Sequence, residues 1–257
     1  MPRPIRFWKL SGAGNDFVLL KGKRAPAEAR RLAKRLCDRR EGVGADGILL
    51  AARGRVDYLN ADGSHAFCGN GARAAACWMR RHGWCGARAR FTFSGIPAQA
   101  VVARGGARLH MPDVAEPRWN VAVLAAGRRL SVDVLDTGVP HAVARVSGLG
   151  RYPVLEVGRA LRRHEAFKPK GVNADFAARS GRGLALRTYE RGVEDETLAC
   201  GTGAVAAALT SGLPSPVKVS ARGGTLTVSF ARRKDGGFSD VWLEGPVALT
   251  FTGEVTP

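Results

Sequence analysis

The chain is 257 residues long, 45% hydrophobic and 24% charged, with five cysteines and a formal net charge of +18 at pH 7. That length supports one large domain or two small ones, each able to bury its own core. No run of about eighteen apolar residues suggests a membrane span, and the opening MPRPIRFWKLSGAGND lacks the apolar core of an export signal, so a cytoplasmic protein is expected.

In chain order, FWKLSG (7–12) and FVLLKG (17–22) read as short strands, followed by an amphipathic helix over about 26–39 and a strand at ILLAA (48–52). An Ala-rich helix is expected at 70–82 and a strand at LSVDVLDTG (130–138). A helix at 158–164, a strand at LALRTYERG (184–192) and a second Ala-rich helix at 202–211 come next. TLTVSF and VWLEGPVALTF supply the last strands. Short strands joined by Gly turns imply an α/β chain of the α+β type, mainly antiparallel, wrapped around a helix.

The charge is carried by 32 Arg and 8 Lys scattered along the chain. The densest group, ARRLAKRLCDRR (29–40), reads as the outer face of an amphipathic helix. Aromatics interleaved with the charge, which a single-strand binder needs, are not evident. A generally Arg-rich surface is therefore expected rather than a nucleic-acid site. Cys37, Cys68, Cys77, Cys85 and Cys200 are odd in number and never spaced as CxxC, so neither a disulfide framework nor a structural zinc site is expected.

The chain repeats itself. CGNGARAAA at 68–76 returns as CGTGAVAAA at 200–208, GVGAD at 42–46 as GVNAD at 171–175, and SGAGNDFV at 11–18 more loosely as TGVPHAV at 137–143. FSGIPAQAVV (93–102) matches ARGGTLTVSF (221–230). Four blocks in one order imply two homologous halves, joined near MPDVAEPRWN (111–120). The expected division is 1–115 and 116–245.

Both repeated cysteines precede an Ala-rich helix that ends at Gly83 or Gly212. A cysteine at a helix N-terminus meets unpaired N–H groups and the positive end of the dipole, which favour a thiolate. Gly-x-Gly lets backbone approach a ligand, and the same N–H groups suit a carboxylate. One such motif can be mere packing; two in equivalent places suggest a base and an acid acting on opposite faces of one carbon. Cys37 and Cys77 read as core residues and Cys85 as a loop thiol. No Schiff-base lysine motif or dinucleotide fingerprint is visible.

NADGSHAFCGNGAR (60–73), YERGVEDETLACGTG (189–203), SGAGNDF (11–17), GVGADG (42–47) and PH (140–141) resemble the diaminopimelate epimerase family over nearly the whole chain. The resemblance implies two similar lobes, each a barrel-like sheet around a central helix, with the last strand, 246–257, returning to the first lobe and the ligand in the cleft between the two. It implies interconversion of LL- and meso-diaminopimelate, for lysine and peptidoglycan precursors, with no cofactor, pyridoxal phosphate or metal. It implies Cys68 and Cys200 as catalytic acid/bases, with His141 and Glu190 as auxiliaries. Substrate contacts are implied for Asn15, Asn60, Gly69, Asn70, Asn173, Glu190, Arg191, Gly201 and Thr202. Gly47 and Val139 depart from the family, standing where other members carry Gln and Asn. A small-molecule substrate, no membrane and a homodimer are the expected partnerships. A related racemase for another amino acid, or a basic nucleic-acid binder on an old enzyme fold, are the competing readings. Asn60, Asn173 and Arg191 together favour diaminopimelate, and the paired cysteines with Glu190 and Arg191 disfavour the nucleic-acid binder.

Overall fold

In the computed structural model, residues 4–65 and 67–256 are described. The chain divides into two compact units, one running to Leu109 and resuming at Glu244, the other spanning His110–Leu243.

The first unit begins with β1 (Ile5–Gly12) and β2 (Asn15–Lys21), an antiparallel hairpin. Its two turn residues, Ala13 and Gly14, both have positive φ, which matches the twist of a tight hairpin and explains the Ala-Gly pair. Then follow α1 (Pro26–Cys37), β3 (Gly47–Ala52), β4 (Arg55–Asn60), α2 (Gly69–Arg81), β5 (Arg88–Phe93), β6 (Ile96–Ala103) and β7 (Gly106–His110). Pro26 stands in the first turn of α1, where its missing N–H costs nothing. Ala29, Leu32, Ala33, Leu36 and Cys37 are the buried face of α1 and pack over Val18, Leu20 and Ile48, while Arg30, Arg31, Lys34 and Arg35 are exposed. Burying Leu32 and Leu36 contributes roughly 1.5–3 kcal/mol each.

The second unit carries β8 (Arg118–Ala125), β9 (Arg128–Asp136), β10 (Pro140–Arg145), α3 (Val154–Arg162), β11 (Asn173–Ser180), β12 (Gly183–Glu190), the short β13 (Asp195–Thr197), α4 (Gly201–Thr210), β14 (Val217–Ala221) and β15 (Gly224–Arg232). β16 (Phe238–Pro246) carries the chain out of this unit, and β17 (Ala248–Val255) belongs to the first. Helix α3 starts at Val154 rather than at 158, because Val154 and Val157 already belong to the buried stripe completed by Leu161. VWLEGPVALTF, expected as one strand, is broken into two at Val247.

The two units have one topology. In the first, strands pair in the order β17, β1, β2, β3, β4, β5, β6, with successive relations antiparallel, antiparallel, parallel, antiparallel, parallel and antiparallel. In the second, β8, β9, β10, β11, β12, β14 and β15 repeat all six relations. Strand β8 thus occupies the place in its sheet that β17 holds in the other. Within each unit one helix touches six strands: α2 meets β1 through β6, and α4 meets β9, β10, β11, β12, β14 and β15. Only small side chains fit so crowded an axis, which is why Ala72 and Ala74–Ala76, and Ala204 and Ala206–Ala208, are buried. Both helices end before a left-handed glycine, Gly83 (φ 69) and Gly212 (φ 73), as the sequence predicts.

Candidate active site

In the first unit Cys68 is the N-cap of α2, with extended backbone (φ −130, ψ 104), and its Sγ accepts the Gly71 N–H at 3.3 Å. A sulfur in this place does what a serine or aspartate oxygen does at other helix starts. Asn70, buried in the first turn of the helix, donates from Nδ2 to Asn15 Oδ1 at 2.7 Å. Asn15 Nδ2 in turn donates to Asp46 Oδ2 at 2.9 Å. Arg73 Nη2 donates to Asn70 Oδ1 at 2.5 Å, and Arg39 Nη2 to Asp46 Oδ1 at 2.7 Å. Both amide oxygens are thereby consumed, and each amide keeps an N–H to offer, the arrangement an anionic acceptor such as a carboxylate requires. Gly69 lies buried at the first helical position.

Asn60 sits at the end of β4, accepting from Tyr58 Oη at 2.8 Å and donating to Ser64 Oγ at 2.9 Å. Tyr58 also accounts for Gly47: a Cβ there would stand 2.4 Å from both the Tyr58 ring and the Leu59 carbonyl oxygen. The side chain missing at Gly47 has no room in this chain.

Arg73 is fully buried, makes one further long contact to the Pro246 carbonyl (3.4 Å), and has no partner for Nε among the described residues. Burial brings it down to about 10, while attraction to the Cys68 and Cys77 sulfurs and to Glu244 works to keep it charged.

In the second unit Cys200 caps α4 in the same way, with φ −111, ψ 114 and the Gly203 N–H 3.4 Å from Sγ. Its surroundings differ. The Cys200 thiol is buried and pushed well above its ordinary value by that burial, then by the Glu190 and Asp175 carboxylates. The Thr202 hydroxyl, 3.4 Å from Sγ, and the Gly203 N–H pull the other way and do not prevail. The thiolate-favouring helix end expected from sequence is therefore present, but the carboxylates and burial outweigh it at Cys200. Glu190 is itself raised by burial, with the Thr197 hydroxyl donating to its Oε1.

His141 is buried, with Nδ1 2.5 Å from Asp175 Oδ2 and Nε2 3.3 Å from Asn173 Nδ2. Asn173 cannot turn its amide round, because its Oδ1 accepts the Arg191 N–H at 2.8 Å. The network thus assigns an imidazole protonated on Nδ1, with Nε2 as acceptor. Thr188 Oγ1 donates to the other Asp175 oxygen at 2.7 Å, fixing the carboxylate. Among the described residues, the Arg191 guanidinium reaches the Lys170 carbonyl alone, at 3.2 Å. Gly201 and Thr202 form the first turn of α4, and the Thr202 carbonyl accepts from Thr137 Oγ1 at 3.1 Å.

Two groupings therefore exist. Asn15, Gly69, Asn70 and Cys68 gather at the start of α2, while His141, Asn173, Glu190, Arg191, Cys200, Gly201 and Thr202 surround the start of α4. Asp46, Tyr58, Arg73, Asp175, Thr188 and Thr197 are supporting residues that sequence reasoning does not reach. Two of them had a signal: Asp46 and Asp175 end the repeated GVGAD and GVNAD, and each orients a residue of the neighbouring strand, Asn15 in one unit and His141 in the other.

The family model described as "Diaminopimelate epimerase" matches residues 7–96 and 134–242. Among curated relatives, the diaminopimelate epimerase of Aquifex aeolicus (strain VF5) is 34% identical, covering 98% of both chains. That of Methanothrix thermoacetophila is 39% identical, over 98% of this chain and 96% of the relative. Among solved structures, a probable proline racemase from Agrobacterium radiobacter K84 superposes with TM-score 0.69 at 16% identity, covering 98% of this chain and 92% of that one. A Bacillus anthracis phenazine biosynthesis protein of the PhzF family gives 0.71 at 12% identity, covering 98% and 99%. At those identities the structures share the fold alone, whereas the family model and the relatives settle lineage: this chain is an isomerase belonging to the diaminopimelate epimerase family.

Proposed function

We propose that the chain interconverts LL- and meso-diaminopimelate by two-base proton transfer between Cys68 and Cys200, on the route to lysine and peptidoglycan precursors. The observation that carries this reading is the duplicated cap: in each unit a cysteine sulfur receives the N–H of the third residue onward, at 3.3 and 3.4 Å. Cys68, as thiolate, takes the proton from Cα of the LL isomer: the C–H bond breaks, an S–H bond forms, and the electron pair moves onto Cα and its carboxylate. Cys200, held as a thiol by burial and by Glu190, gives its proton to the opposite face. The sulfurs have then exchanged states, and the reverse reaction is ready. Backbone N–H groups of Gly69, Asn70, Gly201 and Thr202 hold the carboxylate where negative charge develops. Asn60, Asn173 and Arg191 hold the distal end, Asn15 makes a further substrate contact beside Asn70, and no cofactor is required.

Incubation of reduced protein with LL-diaminopimelate in D2O tests this. Loss of the Cα–H signal with appearance of the meso isomer is expected, and Cys68→Ala and Cys200→Ala should each lower turnover by about 10²–10⁴-fold. Exchange that survives either substitution would overturn the two-cysteine mechanism; no exchange in the parent chain would overturn the substrate. Growth of a diaminopimelate-requiring strain lacking its own epimerase tests the pathway.

A further inference from the structure

The C-terminal end of α2 borders a cavity of about 440 Å³ that the reaction above does not use. It lies within the first unit, formed by that helix end, the turn between β6 and β7, Leu10 of β1 and the start of β17. Trp78, which lines it, is ten residues beyond Cys68, roughly 15 Å along the helix. Leu10, Trp78 and Val102 give the cavity a buried apolar floor, and exposed Arg80, Arg81 and Arg104 give it a rim. No acidic residue lines it.

The polar groups at this end are unbalanced. The last carbonyls of α2 are already occupied: Trp78 O accepts from the His82 N–H and ring, Met79 O from the Trp84 N–H, and Arg80 O from the Gly83 N–H. Gly105 O accepts from Val247, and Val102 O is taken by Arg80 Nη1. Donors are left over. The Arg81 and Arg104 guanidiniums have no hydrogen-bond or ion-pair partner among the described residues. A volume in the range of small-molecule sites, an apolar floor and a rim of three guanidiniums with no acidic residue among the lining together call for a ligand that brings an apolar body and negative charge.

We propose that this cavity is a second ligand site, binding a small organic anion whose apolar body lies on the Trp78 floor and whose anionic group meets the Arg81 and Arg104 rim. Sodium 2-naphthoate is a suitable probe, followed through the five tryptophan indole N–H resonances of ¹⁵N-labelled protein, with Trp78→Phe identifying its peak. A saturable shift of the Trp78 resonance is expected, with about tenfold weaker binding in Arg81→Gln/Arg104→Gln and for the neutral 2-naphthylmethanol. Both arginines are exposed, and an unchanged indole spectrum without ligand shows that the double variant is folded. The proposal fails if the Trp78 resonance does not move, or if the alcohol binds as well as the carboxylate. It fails equally if the double variant binds like the parent, or if Cys68→Ala abolishes the shift, which would locate the anion at the other end of α2.

Discussion

A carboxyl group buried beside a thiol, as Glu190 is beside Cys200, makes either anion costlier in the presence of the other, and burial raises both again. Removing the carboxylate charge while keeping the shape should therefore bring Cys200 down. Glu190→Gln should be alkylated at Cys200 several-fold faster by iodoacetamide at pH 8, read by peptide mass spectrometry, with the midpoint of its rate–pH curve at lower pH. An unchanged or slower rate would show that Glu190 does not hold the thiol protonated. The same substitution has a stability sign. A carboxyl raised in the folded state disfavours folding at any pH above its unfolded value, so at pH 7 Glu190→Gln should raise the thermal midpoint while turnover falls. Glu190 trades stability for a protonated partner.

At the scale of elements, the two central helices are copies whose glycines are no longer equivalent. A Cβ on Gly203 would stand 2.4 Å from Asp175 Oδ1 and 3.2 Å from Thr188 Oγ1, inside the buried group that orients His141. A Cβ on Gly71 would meet Phe93, Cys68 and Leu49 at 3.4–3.5 Å, ordinary contact. Gly203→Ala should destabilise by about 1–3 kcal/mol through overpacking, and Gly71→Ala should be neutral or stabilise by up to about 1 kcal/mol through helix propensity; urea titration of both distinguishes them. The helices themselves were legible in the sequence, because Cys, Gly-x-Gly, alanines and a terminal Gly recur together. The hairpin turns were legible where glycine marks them. Strands β10 and β11 were not: paired in parallel and largely buried, PHAVAR and NADFAARS show no polar alternation to read. The supporting residues were hidden for a related reason. Asp175 meets His141 only through the register that sets Asn173 beside His141, and a one-dimensional pattern carries no register between strands so far apart. Tyr58 likewise gains its meaning from the empty Cβ position of Gly47, diagonal to it on the neighbouring strand.

For the molecule as a whole, the buried thiols set an alkaline limit. Burial pushes Cys37 to about 12 from an ordinary 9.0, so its favourable contribution is complete below the unfolded value and is lost as pH climbs toward the folded one. Between pH 9 and 10 the loss is about 1.4 kcal/mol at most. Urea midpoints at pH 8 and pH 10 should therefore fall further in the parent than in Cys37→Ala; equal declines would remove Cys37 as a cause. None of the described helices is long and apolar enough to cross a membrane. The Arg-rich exterior expected from the composition is visible at α1, whose four outward basic residues are exposed beside a buried apolar stripe. The two units also differ in how the chain completes them. The second is contiguous from His110 to Leu243, whereas the first waits for β17 to pair with β1. During synthesis, the first unit is thus begun before the second and finished after it, and until Ala248–Val255 arrives β1 offers an unpaired edge to any neighbouring nascent chain.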